Sequence, residues 1–362
     1  MSGSPPEALE SLDDLLRRHG LAGIREEPFP NDGWSGASLS LLRRGGGDRF
    51  VLKRDSLARD WIARATNDGP VLREAWFAAN GPPLPSPIHA PYLGAGVNGD
   101  EFGILMPDLT SVLFDWDAPI STAQLDQVLA AISALHAYPW ANDALRPILG
   151  DHDFPPVGPW CPIRERIALI SRASLERPGP ARDAVADRIL PGWDAFNRLA
   201  SRSARDLVAT LGGDPRPLAD TLARQPHTLI HGDLKLANVG IAADGAVETV
   251  DWQMVSIAPI AIEIGWFLVA NTACLPVEPN EVILRYRTHL AKGYLDPDDG
   301  WLRGNDFDDD GVDAAILVGL LLRGWRKGAD AEAGLTLASG VSAADDLAWW
   351  CDRALEAAGR LL

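Results

Sequence analysis

The chain has 362 residues, 46% of them hydrophobic, and a formal net charge of -17. That composition suffices for a large core and argues against nucleic acid as a partner, because phosphate-backbone binding needs clustered Lys and Arg. Three cysteines (Cys161, Cys274, Cys351), far apart and without C-x-x-C spacing, support neither a disulfide framework nor a zinc site and fit a reducing cytoplasm.

The N-terminal Ser-Gly-Ser-Pro-Pro-Glu lacks the basic start and apolar stretch of a leader, and Ser4 to Glu7 has the form of a capping box. Leu9, Leu12, Leu15 and Leu16 then recur at helical spacing until Gly20, so a helix is expected there. Two β-favouring runs, Ser38 to Leu42 and Phe50 to Lys53, are separated by the turns Asn31-Asp32-Gly33 and Gly45-Gly46-Gly47. A helix is predicted from about Pro70 to Asn80, stopped by Gly81-Pro82-Pro83, and a further strand from Phe102 to Met106. Gly94-Ala95-Gly96-Val97-Asn98-Gly99 spells a dinucleotide-binding pattern, but a strand follows it where a phosphate-holding helix is required, so Asn98-Gly99 reads as a hairpin turn.

Beyond Pro107 the pattern turns helical. Leu125, Val128, Leu129, Ile132 and Leu135 form one stripe between Ser121 and Tyr138, residues 139 to 165 are rich in Pro and Trp, and helices are expected around 181 to 225 and 280 to 360. Asp306-Phe-Asp308-Asp-Asp310-Gly311 starts like a calcium loop, yet Leu317 stands where the bidentate Glu belongs, which leaves an acidic helix start. The most hydrophobic run, Ile257 to Val277, contains Glu263, so no membrane segment is expected. Residues 1–107 carry 11 basic and 14 acidic side chains, against 22 and 36 in residues 108–362, a net of -14. A surface of that sign either attracts cationic small molecules or serves solubility alone.

The chemistry concentrates in residues 227 to 252. His231-Gly232-Asp233-Leu234-Lys235-Leu236-Ala237-Asn238 follows a short strand, and Asp244-Gly245 then joins two β-favouring runs that end at Asp251-Trp252. With a two-residue turn centred between 244 and 245, Val239 faces Val250 and Asn238 faces Asp251. An amide oxygen and a carboxylate meeting there suit a hard cation such as magnesium. Asp233, on the same loop, is then placed to orient a hydroxyl and accept its proton.

The pattern H-G-D-L-K-x-x-N followed by D-W resembles the catalytic loop and metal-binding aspartate of the aminoglycoside phosphotransferase and choline kinase group, relatives of the protein kinases. The resemblance implies an α+β, bilobal protein-kinase-like fold: a small mixed α/β nucleotide-binding lobe (residues 1–107) and a larger α-rich lobe (108–362) with the catalytic loop and acceptor site. It implies ATP and Mg²⁺, with Asp233 as catalytic base, Lys235 at the transferring phosphate, Asn238 and Asp251 as metal ligands and His231 as a prop. Upstream it implies a strand lysine paired with a helix glutamate, supplied by Lys53 and Glu74. Lys53 and Lys235 are two of only four lysines among 33 basic residues, and a compact ammonium fits between phosphate oxygens where a guanidinium fork is too wide. By the same resemblance Ser35 and Ser38 contact phosphate, the Met106 carbonyl and Asp108 amide meet adenine, and Glu263, where relatives more often have aspartate, anchors the catalytic loop.

The expected reaction is phosphoryl transfer to a small hydroxylated, amine-bearing acceptor, with Trp140, Trp160, Trp193, Trp301 and Trp325 as stacking candidates. The rivals are a choline, homoserine, sugar or protein-hydroxyl kinase, a nucleotide-binding pseudokinase, and an adenylyl transferase. The oligomeric state is left open.

Overall fold

A computed structural model describes residues 9–30, 33–66, 71–140, 162–292 and 307–362. The Ser4–Glu7 cap, Asn31-Asp32, Pro70, Trp160, Trp301, Cys161 and Asp306 lie outside them.

The first part is built on a six-stranded sheet ordered β1 (Glu10–Ser11), β6 (Gly94–Asn98), β7 (Glu101–Pro107), β4 (Arg49–Ser56), β3 (Ser38–Arg43), β2 (Glu27–Pro28). The first described helix, α1 (Leu12–Arg18), starts at Ser11, whose hydroxyl accepts the Asp14 amide. Leu9 precedes this cap, so the expected helix begins later than its leucine spacing suggested. The Asn98-Gly99 turn joins β6 to β7 as expected, with Gly99 at φ 63°. A short helix that the sequence reading did not anticipate, α2 (Trp61–Thr66), precedes α3 (Arg73–Asn80).

The second part is helical: α4 (Thr122–Ala137), α5 (Pro162–Ile170), α6 (Arg172–Leu175), α7 (Pro180–Leu199), α8 (Arg202–Gly213), α9 (Arg216–Leu222), α10 (Ile260–Asn271), α11 (Pro279–Lys292), α12 (Asp309–Glu332) and α13 (Ala343–Leu361). The mixed α+β architecture, sheet-rich first and helical after, is therefore the expected one. Ser121 and Gln124 form a reciprocal capping box at the start of α4. Trp140, Trp193 and Trp325 are buried, so none of them presents an open face for stacking on a ligand.

The long central helix α12 is buried along most of its length and packs on α10, α7 and α13. Small residues make these contacts close: a methyl on Gly265 would lie 2.3 Å from the Ala315 carbonyl oxygen. A Gly265→Ala variant gains helix propensity but forces α10 and α12 apart. The expected net loss is roughly 1–3 kcal/mol, measurable by chemical denaturation.

Three contacts tie the two parts together around the site. Strand β5 (Ile88–His89) pairs in parallel with β10 (Val247–Thr249). Helix α2 packs on α5 and α7. Arg73, at the start of α3, meets Glu165 on α5 at 2.7 Å, the carboxylate buried and the guanidinium nearly so. No helix among the described residues is long and apolar enough to cross a membrane.

Candidate active site

The catalytic loop leaves strand β8 (His227–Ile230) at His231. Gly232 takes φ 88°, and any Cβ there would sit 2.1 Å from the Met254 carbonyl oxygen, so only glycine lets the loop pass. His231 donates Nε2–H to the Val250 carbonyl at 2.9 Å and accepts the Asp233 amide on Nδ1 at 3.1 Å. That pattern uses one neutral tautomer, and burial lowers the His231 pKa in the same sense. The ring also packs against Trp252, with centroids 4.5 Å apart. The propping role expected of His231 thus has a physical basis.

Glu263, fully buried on α10, accepts the His231 amide at 2.9 Å and the Gly232 amide at 2.7 Å, and lies 3.2 Å from His136 Nε2. Burial pushes its carboxyl pKa up, but hydrogen bonding and charge from His136, with the loop's own donors, outweigh that and hold it below the usual range. Its side chain anchors the loop as expected. Asn271, two turns further along α10, accepts the Leu236 amide at 2.7 Å and donates to the Leu234 carbonyl at 3.2 Å.

So held, Asp233 has both carboxylate oxygens engaged. The Trp266 indole N–H donates to Oδ1 at 3.0 Å, and Lys235 Nζ reaches Oδ2 at 3.0 Å. Asn238 donates its Nδ2 to the Asp233 carbonyl at 2.9 Å, which orients the amide and leaves its oxygen as an acceptor.

The hairpin register differs from the expectation by one residue. Strand β9 (Val239–Ile241) pairs Val239 with Thr249, and Val250 N–H donates to the Asn238 carbonyl at 3.0 Å, so Asn238 opposes Val250 and not Asp251. The cause is the turn. Gly245 N–H bonds to the Ala242 carbonyl while Ala242 N–H bonds to Ala246, and Gly245 sits at φ 89°. This is a three-residue loop with a bulge instead of a two-residue turn. A one-residue slip reverses which face a side chain occupies. Asp251 compensates with φ 66° and ψ 52°, a left-handed conformation unusual for a non-glycine residue. Its Oδ1 thereby reaches Lys53 Nζ at 2.6 Å.

Lys53 on β4 bridges two carboxylates, Asp251 and Glu74 on α3, each at 2.6 Å. Burial alone lowers the Lys53 pKa, but the two carboxylates outweigh it and raise it. Burial likewise raises the Asp251 carboxyl, yet attraction from Lys53 and then Lys235 overcomes this and holds it at about 2. Glu74 moves the other way, raised mainly by burial. Tyr92 O–H donates to Glu74 Oε1 at 2.8 Å and accepts the Trp252 amide at 3.2 Å, buttressing the pair from a position that carried no motif.

The remaining expected contacts fare differently. Ser38 pairs with Arg54 while Lys53 pairs with Leu39, so by strand alternation the Ser38 hydroxyl lies on the sheet face opposite Lys53. Ser35 is buried, with its Oγ 3.5 Å from the Ala37 amide. The Asp108 amide donates to the Arg49 carbonyl at 3.0 Å, and its carboxylate meets Arg49 at 2.8 Å, which commits Asp108 to β4 rather than to adenine. Met106 pairs with Val51 two positions earlier, so ladder alternation turns its carbonyl toward β4 as well. By the same alternation the Pro107 carbonyl turns away from β4.

The donor set fits a magnesium ion: the ionised Asp251 carboxylate and the amide oxygen of an oriented Asn238 are hard oxygen ligands, few enough to leave positions for phosphate and water.

The phosphotransferase enzyme family (APH) matches residues 29–304. No curated protein matches the chain significantly. Similar solved structures include the macrolide 2'-phosphotransferase MphH of Brachybacterium faecium, 17% identical over 95% of this chain and 96% of its own, TM-score 0.42. Spectinomycin phosphotransferase APH(9)-Ia in complex with ADP and spectinomycin is 13% identical over 97% of each chain, TM-score 0.45. Choline kinase of Cryptosporidium parvum is 11% identical over 93% of this chain and 90% of its own, TM-score 0.48.

Proposed function

From the premise that the chain belongs to the phosphotransferase enzyme family, we propose that it transfers the γ-phosphoryl group of ATP to a hydroxyl of a small molecule, with Asp233 as the base. The acceptor O–H gives its proton to Asp233, the acceptor oxygen bonds to the γ-phosphorus, and the bond to the β-bridging oxygen breaks to release ADP.

The observation that carries this reading is the state of Asp233. Trp266 and Lys235 fix its carboxylate in one orientation, and Lys235 is close enough to Asp251 to help keep that group ionised. The base and the phosphate-binding lysine pair therefore border one site. Lys53, aligned by Glu74, holds the nucleotide's phosphates, and Lys235 balances charge on the group in transit. Asp251 and Asn238 hold Mg²⁺, which when bound neutralises phosphate charge. Adenine meets the backbone near the Pro107 carbonyl.

In this reading residues 1–107 bind nucleotide, residues 108–362 supply the base and the acceptor site, and the enzyme works in the cytoplasm. The buried free thiols of Cys274 and Cys351 are compatible with a reducing compartment.

The test is incubation with ATP and Mg²⁺ against a panel that includes spectinomycin, a macrolide, choline, sugars and hydroxy acids. A product heavier by one phosphoryl group, with ADP released, is expected. Release of pyrophosphate with an adenylylated product, or nucleotide binding with no product across the panel, would reject the proposal.

A further inference from the structure

The charge around Asp233 runs against the charge of the part that contains it. Arg166 on α5 and Arg323 on α12 both lie over the Trp266 ring, with guanidinium carbons 4.9 and 5.1 Å from its centre, and Trp266 is the residue that donates to Asp233. Arg323 also lies 5.1 Å from the centre of the Trp325 ring. Arg166 is only 3% exposed. Its Nη2, Arg323 Nε and Trp325 Nε1 are all buried without a hydrogen-bond partner among the described residues.

The nearby acids are engaged elsewhere. Glu165 meets Arg73 at 2.7 Å, Glu263 takes the loop amides, and Asp330 meets Arg326 at 2.8 Å. Asp233 attracts both arginines, but the donors its oxygens meet are those of Trp266 and Lys235, not a guanidinium. Three orphaned donors thus share one aromatic cluster that supplies no acceptor to them. Buried donors without partners are costly, and a native structure keeps them where something else supplies the acceptor.

We propose that Arg166 and Arg323 form an oxyanion subsite for the acceptor, so that the molecule whose hydroxyl reaches Asp233 also carries a carboxylate or phosphate. This rests on the phosphotransferase reading and replaces the cationic acceptor expected from net charge. An oxyanion is the ligand that guanidinium forks match. The γ-phosphate of the nucleotide is the other source of such a group. The geometry favours the acceptor, because Lys235 and Asn238 approach Asp233 Oδ2, whereas the arginines gather around Trp266 on the Oδ1 side.

The full chain would be saturated with Mg²⁺ and a non-hydrolysable ATP analogue, filling the γ-phosphate position, and then titrated calorimetrically with gluconate, sulfate, sorbitol and glucosamine. Saturable binding of gluconate or sulfate is expected, about 10- to 100-fold weaker in Arg323→Gln, largely restored in Arg323→Lys, and with affinity for the analogue unchanged. Arg166→Met should lose the response while raising the Tm of the ligand-free protein, which a merely structural arginine would not do. The subsite is refuted if neither anion binds saturably, if glucosamine binds in their place, or if Arg323→Gln weakens the analogue as much as the anion. Failure of the wild-type chain to bind the analogue would instead refute the underlying phosphotransferase reading.

Discussion

Replacing Asp233 with Asn should lower kcat by about 10²- to 10⁴-fold while leaving ATP affinity within a few-fold of wild type. The direction follows from where the carboxylate sits. Its backbone position is set by His231, by Asn238 and, through the Gly232 amide, by Glu263, none of which the substitution touches. An amide retains one oxygen to accept from Trp266 or Lys235, so the loop should keep its shape. What disappears is the basic oxygen that takes the hydroxyl proton. Nucleotide binding depends on Lys53, Glu74 and Asp251, which form a separate hydrogen-bonded group. Steady-state kinetics, with nucleotide affinity measured independently, separates these terms. Turnover within a few-fold of wild type would remove Asp233 from the base's role, and a parallel collapse of ATP affinity would mean that the substitution had disturbed the loop.

Why Asp233 could be recognised in the chain while Trp266 could not is a matter of sequence distance. The loop residues His231 to Asn238 act through neighbours within a few positions, and their order is itself the geometry. The groups that orient the loop come from α4 and α10, linked to it by folding alone. One signal was nevertheless present. In Ile260–Asn271, a helix that is otherwise almost wholly apolar, Glu263 and Asn271 fall on one helical face with Trp266 between them. Polar groups on an all-buried helix must find partners, and the backbone of a tight loop is rich in them.

The hairpin register is ambiguous in the sequence for a different reason. Asp244-Gly245 marks a turn, but the same pair serves a two-residue or a three-residue loop, and a single residue decides which side chain opposes Asn238. The left-handed Asp251 carries its carboxylate to Lys53 by backbone conformation instead. The acceptor's charge is not legible from net charge for a reason of scale: the net -14 belongs to a whole surface, whereas charge beside a reacting hydroxyl is set by the few side chains that reach it.

The anchoring carboxylate gives the second large effect. Glu263→Ala removes the acceptor of two buried amides and the partner of a buried histidine. Stranding a buried donor costs about 1–3 kcal/mol, so for the two amides together a loss of roughly 2–6 kcal/mol is expected in urea titrations. Because the folded-state pKa of Glu263 is lowered, its contribution is present above the unfolded carboxyl value near 4.5 and is lost as pH falls through the folded value. The wild type should therefore lose its advantage over Glu263→Ala in acid and keep it at neutral pH. Activity should respond too, since displacement of a base by about 1 Å can cost about 10²-fold in rate. Glu263→Asp keeps the charge and should recover part of both losses. A stability difference unchanged between pH 7 and acid would mean that the two amides, and not the ionised carboxylate, account for the anchoring.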